Sequence, residues 1–118
     1  MGFSITKVNM YVPQGVTYGH KFIYLQESDD SIISLVGYTA RLQIRDKVTS
    51  TETLFEATTD DYITITGPAG EVYLEIPAAT TAAWTWTKGV YDLEIISGTG
   101  KVSRIAEGSV KVSPEVTR

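Results

Sequence analysis

Between residues 35 and 47 the chain reads LVGYTARLQIRDK, and its middle alternates without a break. Ala40, Leu42 and Ile44 fall on one side, Arg41, Gln43 and Arg45 on the other. A period of two sends successive side chains to opposite faces of a pleated strand. The same period returns in EVYLEIP (71–77), with Val72, Leu74 and Ile76 inward and Glu71, Tyr73 and Glu75 outward. It returns in GVYDLEIISG (89–98), with Tyr91, Leu93 and Ile95 inward and Asp92 and Glu94 outward. VTYGHKFIYLQE (16–27) is rich in β-branched and aromatic residues, which suit a pleated surface. TLFEATT (53–59) and YITITG (62–67) are short strands separated by Asp60 and Asp61. KVSRIAEGSVKVS (101–113) closes the series with Val110 and Val112 on the core face. Its two halves fit different registers, which predicts a bulge near Ala106–Gly108. SITKVNMYV (4–12) adds an edge strand through Val8, Met10 and Val12.

Breaks between these runs carry turn chemistry. ESDDS (27–31) is small and polar, GPAG (67–70) pairs a φ-fixing proline with permissive glycines, and SGTG (97–100) is a Gly-flanked hairpin turn. PAATTAAWTWTKG (77–89) departs from period two. It predicts at most one short helical turn near 78–84 and then a crossover, because an independent helix needs roughly 12–15 residues. Trp84 is expected to plug that crossover. Seven or eight short strands with regular turn signals predict an all-β sandwich, and clean alternation predicts antiparallel sheets with one wet face each.

Composition narrows the reading. A chain of 118 residues suits a single domain spanning 1–118, large enough to bury its own core. Net charge is −4 and the ten Lys and Arg residues are scattered, which argues against a nucleic-acid partner. Cysteine is absent, so there is no disulfide framework, and folding in a reducing cytoplasm fits. MGFSITKVNMYV lacks the basic and apolar regions of a signal peptide, and no apolar run approaches the ~20 residues of a membrane span.

Candidate chemistry is sparse. Glu27, Asp29 and Asp30 share one turn and Asp60 and Asp61 another, but neither has calcium-loop spacing. They read as solvated turns whose side chains bond local backbone. His20 is the lone histidine, expected on a partly exposed strand position. No Gly-x-Ser-x-Gly elbow accompanies it and metal sites usually gather several His or Cys ligands. GPAG and SGTG lack a Walker ending. Arg41, Arg45 and Lys47 read as a mixed solvated face. No catalytic residue, cofactor or metal is expected. Trp86 and Trp84 lie two apart, so an extended chain points both the same way. Trp84 is expected in the core and Trp86 partly exposed. Trp86, with the outward Tyr73 and with Trp84 beside it, is the interface candidate, since Trp and Tyr anchor contacts.

LVGYTARLQIRDK, GPAGEVYLEIP and GVYDLEIISGTGKVSRIAEGSVKVSPEVTR together resemble small virion proteins of tailed bacteriophages. They are similar also to the immunoglobulin-like N-terminal domain of phage upper-baseplate proteins. The matching positions are Leu35, Gly37, Tyr38, Ala40 and Ile44; then Gly70, Val72, Leu74 and Ile76; then Gly89, Tyr91 and Leu93. Residues 16–118 carry the likeness through the order and spacing of these structural motifs. The family usually has Leu-Pro ahead of its Gly-x-Tyr strand, where this chain has Trp84 and Trp86.

The resemblance implies an immunoglobulin-like sandwich. It also implies a noncatalytic part of the virion, in tail, neck or baseplate, with head decoration or cementing as the second position. Such a part binds other virion proteins in multiple copies or as a homo-oligomer, and is assembled in the host cytoplasm. A carbohydrate- or host-receptor-binding module, with Trp86 and Tyr73 as a stacking platform, is the alternative. In sandwich domains a Tyr opening a late strand often bonds backbone at the preceding corner, and Tyr91, two after Gly89, is placed for that role.

Overall fold

In a computed structural model, which describes residues 6–24 and 33–117, the alternating positions become the two walls of one core. The chain forms β1 (Thr6–Lys7), β2 (Met10–Pro13), β3 (Tyr18–Ile23), β4 (Thr39–Arg45), β5 (Phe55–Thr59), β6 (Tyr62–Thr66) and β7 (Glu71–Ile76). A five-residue helix, α1 (Ala78–Ala82), precedes β8 (Lys88–Ile96) and β9 (Val102–Ser113). Ala40, Leu42 and Ile44 of β4, Val72, Leu74 and Ile76 of β7, and Tyr91, Leu93 and Ile95 of β8 are all buried. Leu42, Ile44, Val72, Ile76, Leu93 and Ile95 have no exposed surface at all.

The strands are hydrogen-bonded in the order β1-β9-β8-β4-β5-β6-β7-β3, with β2 also on β9. One half carries β5, β4, β8 and β9; the other carries β6, β7 and β3. In immunoglobulin-like terms β4, β8 and β9 take the places of strands C, F and G, and β3, β7 and β6 those of B, E and D. The fold is therefore an all-β, immunoglobulin-like sandwich.

Four features differ from the sequence expectation. The two walls are one continuous sheet, joined where β5 runs parallel to β6 through Thr58↔Tyr62 and Thr59↔Ile63. The chain makes a tight loop there with Asp60 at φ 70° and Tyr62 at φ 79°. Positive φ is uncommon for non-glycine residues, and bulky ones above all. Three backbone bonds hold the turn: Thr58 N–H to Asp61 O, Asp61 N–H to Thr58 O, and Asp60 N–H to Ile63 O. Asp60 and Asp61 are thus turn residues.

Second, the sheet is not wholly antiparallel, because β1 and β2 run parallel to β9. Third, the N-terminal segment forms two short strands in place of one, breaking between Lys7 and Met10. Met10 and Val12 are buried as the alternation requires. Fourth, the bulge sits at Ile105, not at Ala106–Gly108: Leu93 faces Ala106, whereas Glu94 faces Arg104. Ile105 and Ala106 are both buried, so the extra residue lets two adjacent apolar side chains face inward.

The turns form as their composition requires. Gly70 donates to Gly67 O with φ 63°, and Gly100 donates to Ser97 O with φ 93°. The 27–31 turn, with Glu27, Asp29 and Asp30, lies outside the described residues.

Leu42→Ala is expected to lower stability by about 2–5 kcal/mol, the usual range for emptying a packed core site. Arg41, half exposed and paired with Glu94 at 2.8 Å, is expected to lose under about 0.5 kcal/mol as Arg41→Ala. Urea unfolding of both variants measures the difference, and equal losses would contradict the register.

Candidate interaction site

The crossover from β7 to β8 is built around aromatic rings. Pro77 ends β7 and α1 makes a little over one turn, Thr80 and Thr81 both donating to Pro77 O. The chain then lays Trp84 edge-on to Phe55, with ring centroids 5.4 Å apart, and Phe55 packs on Tyr62 at 5.1 Å. Trp84 is buried, as expected for a plug. Trp86 is half-buried and stacks on Trp84 at 4.6 Å. The Trp86 indole N–H is enclosed with no hydrogen-bond acceptor in reach among the described residues. A buried donor without a partner carries a desolvation cost.

Tyr73 stands on the outer face of β7, packed over Gly19 of β3. Its hydroxyl donates to Glu75 Oε1 at 3.1 Å. That bond is the first cause of a raised Tyr73 pKa. The ring partner of Trp86 lies inside the fold, and Tyr73 lies outside it. Among the described residues no ring contact joins Trp86 to Tyr73.

Two side chains that the sequence does not announce tie the crossover to both ends of the chain. Thr81, fully buried, accepts from Gly15 N–H at 3.0 Å and lies 3.0 Å from Val16 O as a donor. Gln14 donates through Nε2 to Trp84 O at 2.9 Å and accepts at Oε1 from Glu115 N–H at 2.9 Å. A Thr or Gln in a loop gives no periodic signal, so only the fold reveals these roles.

Tyr91 is buried as predicted, but its partner is not the preceding corner. Its hydroxyl donates 2.6 Å to Val8 O, 83 positions away, at the break between β1 and β2. Val8 N–H donates to Glu107 O at 2.9 Å. A side chain on Gly108 would collide with Val8 O, which is the physical reason for glycine there. Gly89 also serves close approach: a Cβ would stand 2.9 Å from Arg45 O and from Ile44 Cγ2. Burial pushes the Tyr91 hydroxyl well above its ordinary pKa, with Tyr18 and Glu107 adding to the rise.

His20 projects inward from β3 opposite Leu74, and its ring centroid lies 4.5 Å from that of Phe22. Partial burial lowers its pKa. Among the described residues no three His, Cys, Asp or Glu side chains gather as a metal site, and no helix is long and apolar enough to cross a membrane.

The outer face of β4, β8 and β9 holds most of the ion pairs. Arg41 bonds Glu94, and Arg104 reaches Asp92 at 3.5 Å and Glu107 at 3.3 Å. A groove of about 420 Å³ crosses this face between Arg45, Arg104 and the exposed Val48. Arg45 is spent on Ser50 O and Gln43 Oε1, each at 2.9 Å. Asp92 has its pKa raised by burial, opposed by Arg104. With Arg104 bonded to Asp92 and Glu107 and Arg45 bonded to neutral oxygens, the groove offers little unsatisfied chemistry to a ligand.

The end of the sheet is different. Among the described residues β3 pairs only with β7, in a register that keeps Phe22 opposite Val72, His20 opposite Leu74 and Tyr18 opposite Ile76. Tyr24 N–H continues that ladder to Gly70 O at 2.8 Å. In an antiparallel ladder both backbone groups of one residue point the same way, and the direction alternates along the strand. Tyr18, His20 and Phe22 therefore spend theirs on β7. Gly19, Lys21 and Ile23 turn theirs to the open edge, where no described strand pairs with them.

No protein-family model and no curated protein matches the chain. Among solved structures it is similar to a strand-swapped dimer of the immunoglobulin-like domain of mouse leukocyte-associated immunoglobulin-like receptor 1. That match has 21% identity and a TM-score of 0.49, over 89% of this chain and 88% of that one. The extracellular domain of the voltage-gated sodium channel β4 subunit, solved as a parallel homodimer, matches with 11% identity and a TM-score of 0.48. It covers 98% of this chain and 99% of that one.

Tyr91→Phe should leave Val8 O unpaired and cost about 1–3 kcal/mol. Chemical denaturation, with amide exchange at Val8 and Met10, tests whether the loss begins at the N-terminal strand. The histidine carries a sign. Its folded pKa lies below the unfolded value near 6.5, so its contribution is full above that value and declines as pH falls toward the folded pKa. Urea midpoints should drop from pH 7.5 to pH 5.5, and His20→Gln should flatten that drop.

Proposed function

We propose that the chain is a noncatalytic structural module that holds neighbouring polypeptides in a multi-copy particle, the virion of a tailed phage. The observation that carries the binding part is the open edge of β3. Backbone donors and acceptors at Gly19, Lys21 and Ile23 are presented on a rigid sandwich and have no partner strand among the described residues. An exposed edge is a template for another extended chain. The phage assignment is supported by the order of the Leu35–Ile44, Gly70–Ile76 and Gly89–Leu93 motifs. Within the virion the proposed position is the tail, neck or baseplate, with head decoration second. Copies on a symmetric particle multiply a weak contact, because each further contact forms at high effective concentration.

Particles banded from lysates of the cells that encode the chain provide the test. Quantitative mass spectrometry should find it at a fixed copy number per particle, and a reconstruction should show its sandwich against neighbouring subunits. A chain that stays in the soluble fraction while particles form would refute the virion reading.

A further inference from the structure

We infer that the occupant of the β3 edge is a second copy of this chain, added antiparallel with His20 of each copy facing His20 of the other. The inference rests on the reading of β3 as a contact edge; it does not depend on the particle.

The two ends of the sheet are unlike. At the far end, the N-terminal segment breaks between β1 and β2, and Pro13 closes β2, devices that blunt an edge. β3 has no proline or bulge in its six residues. Its one edge charge, Lys21, stands on the outer face 3.8 Å from Glu71. The inward side chains Tyr18 and His20 are only half-buried, whereas Phe22 is buried. Among the described residues, nothing therefore covers the mouth of the core beside this strand.

Charge and backbone direction select the partner and its register. Only Gly19, Lys21 and Ile23 turn backbone groups outward, so a two-fold pairing must match odd residues with odd. Centring it on Lys21 sets two lysines directly opposite, which is repulsive. Centring it on His20 pairs Gly19 of each copy with Lys21 of the other, giving four reciprocal backbone hydrogen bonds. On the inner face Tyr18 then lies opposite the second copy's Phe22, an aromatic cross-strand pair over the open mouth. On the outer face, Gly19 is in line with Glu75. The second copy's Lys21 thus enters a row formed by Lys21, Gly19 and Glu75, in which the Tyr73 hydroxyl bonded to Glu75 lies over the intervening glycine. Glu75 bonds the Tyr73 hydroxyl and has no cation beside it among the described residues. One strand supplies both halves of this match, which is what an isologous interface requires.

The register gives a covalent test on the full chain, which contains no cysteine. His20 and its mate form a non-hydrogen-bonded pair, with Cα atoms about 4.5 Å apart, within disulfide reach. Oxidised His20→Cys should yield a covalent dimer on non-reducing gels at least ten times faster than Tyr18→Cys, whose mate is Phe22. Sedimentation of the unmodified chain should show a concentration-dependent dimer. Glu75→Lys, a change on an exposed outer face, should weaken it tenfold or more while leaving unchanged the unfolding midpoint read at concentrations where the chain is monomeric.

A chain that is monomeric at all concentrations would overturn the inference, as would cross-linking no faster at 20 than at 18, or a dimer indifferent to Glu75→Lys. A monomer whose β3 amides become protected only when other particle proteins are added would assign the edge to a different polypeptide. Presence in particles is read separately, so a chain that is incorporated but monomeric sinks this inference alone.

Discussion

A sheet with one apolar and one wet face has to close on itself, and that single demand shapes this molecule. The inward rows of β4 and β8 need the inward row of β7 as their cover. The chain meets the demand by folding one sheet over at β5 and β6. Tyr62 at φ 79° belongs to that fold line. Strained backbone persists where its surroundings over-determine it, and here Phe55 packs on the Tyr62 ring.

Closing a sheet leaves its ends to be managed, and the chain treats the two differently. At the β9 end the N-terminal strand is clasped: Val8 lies against Gly108, accepts from the Tyr91 hydroxyl and donates to Glu107 O. The segment then passes to the opposite wall through Gln14–Val16, held by Thr81 and by the carbonyl of Trp84. The Trp84 crossover and the N-terminal crossover thus brace one another at the same end of the sandwich. At the β3 end the structure offers no comparable cover among the described residues. The contrast between a fastened end and an unfastened one is the basis for assigning contact to β3.

Much of this was legible in the sequence. Period two placed Leu42, Ile44, Val72, Leu74, Leu93 and Ile95 inward because burial on one face leaves strand register little freedom. The turns at 67–70 and 97–100 were readable because glycine and proline act locally. What escaped has a common physical character: it depends on residues far apart in the chain. Alternation does not encode strand direction, so the parallel pairing of β2 with β9 gave no signal. Tyr91 was placed in the core, yet its hydroxyl found Val8 instead of a neighbouring corner. Gly108 looked like the bulge because glycine often marks one; the extra residue was Ile105, and Gly108 instead makes room for the Val8 carbonyl. Trp86 is partly exposed as the sequence predicts, but its stacking on Trp84 and the place of Tyr73 over Gly19 are contacts between distant segments that alternation does not encode.

The parallel docking of β2 on β9 bears on how the module transmits tension. Thr6 begins the first strand beside Ala106, and Ser113 ends β9 beside Pro13. Force drawn apart between Thr6 and Ser113 runs along both strands in opposite senses. It therefore shears the Met10–Pro13 rungs together instead of peeling them one by one. A linkage loaded in that manner yields only when several bonds fail at once, so the clasp that completes the sandwich is also its tensile joint.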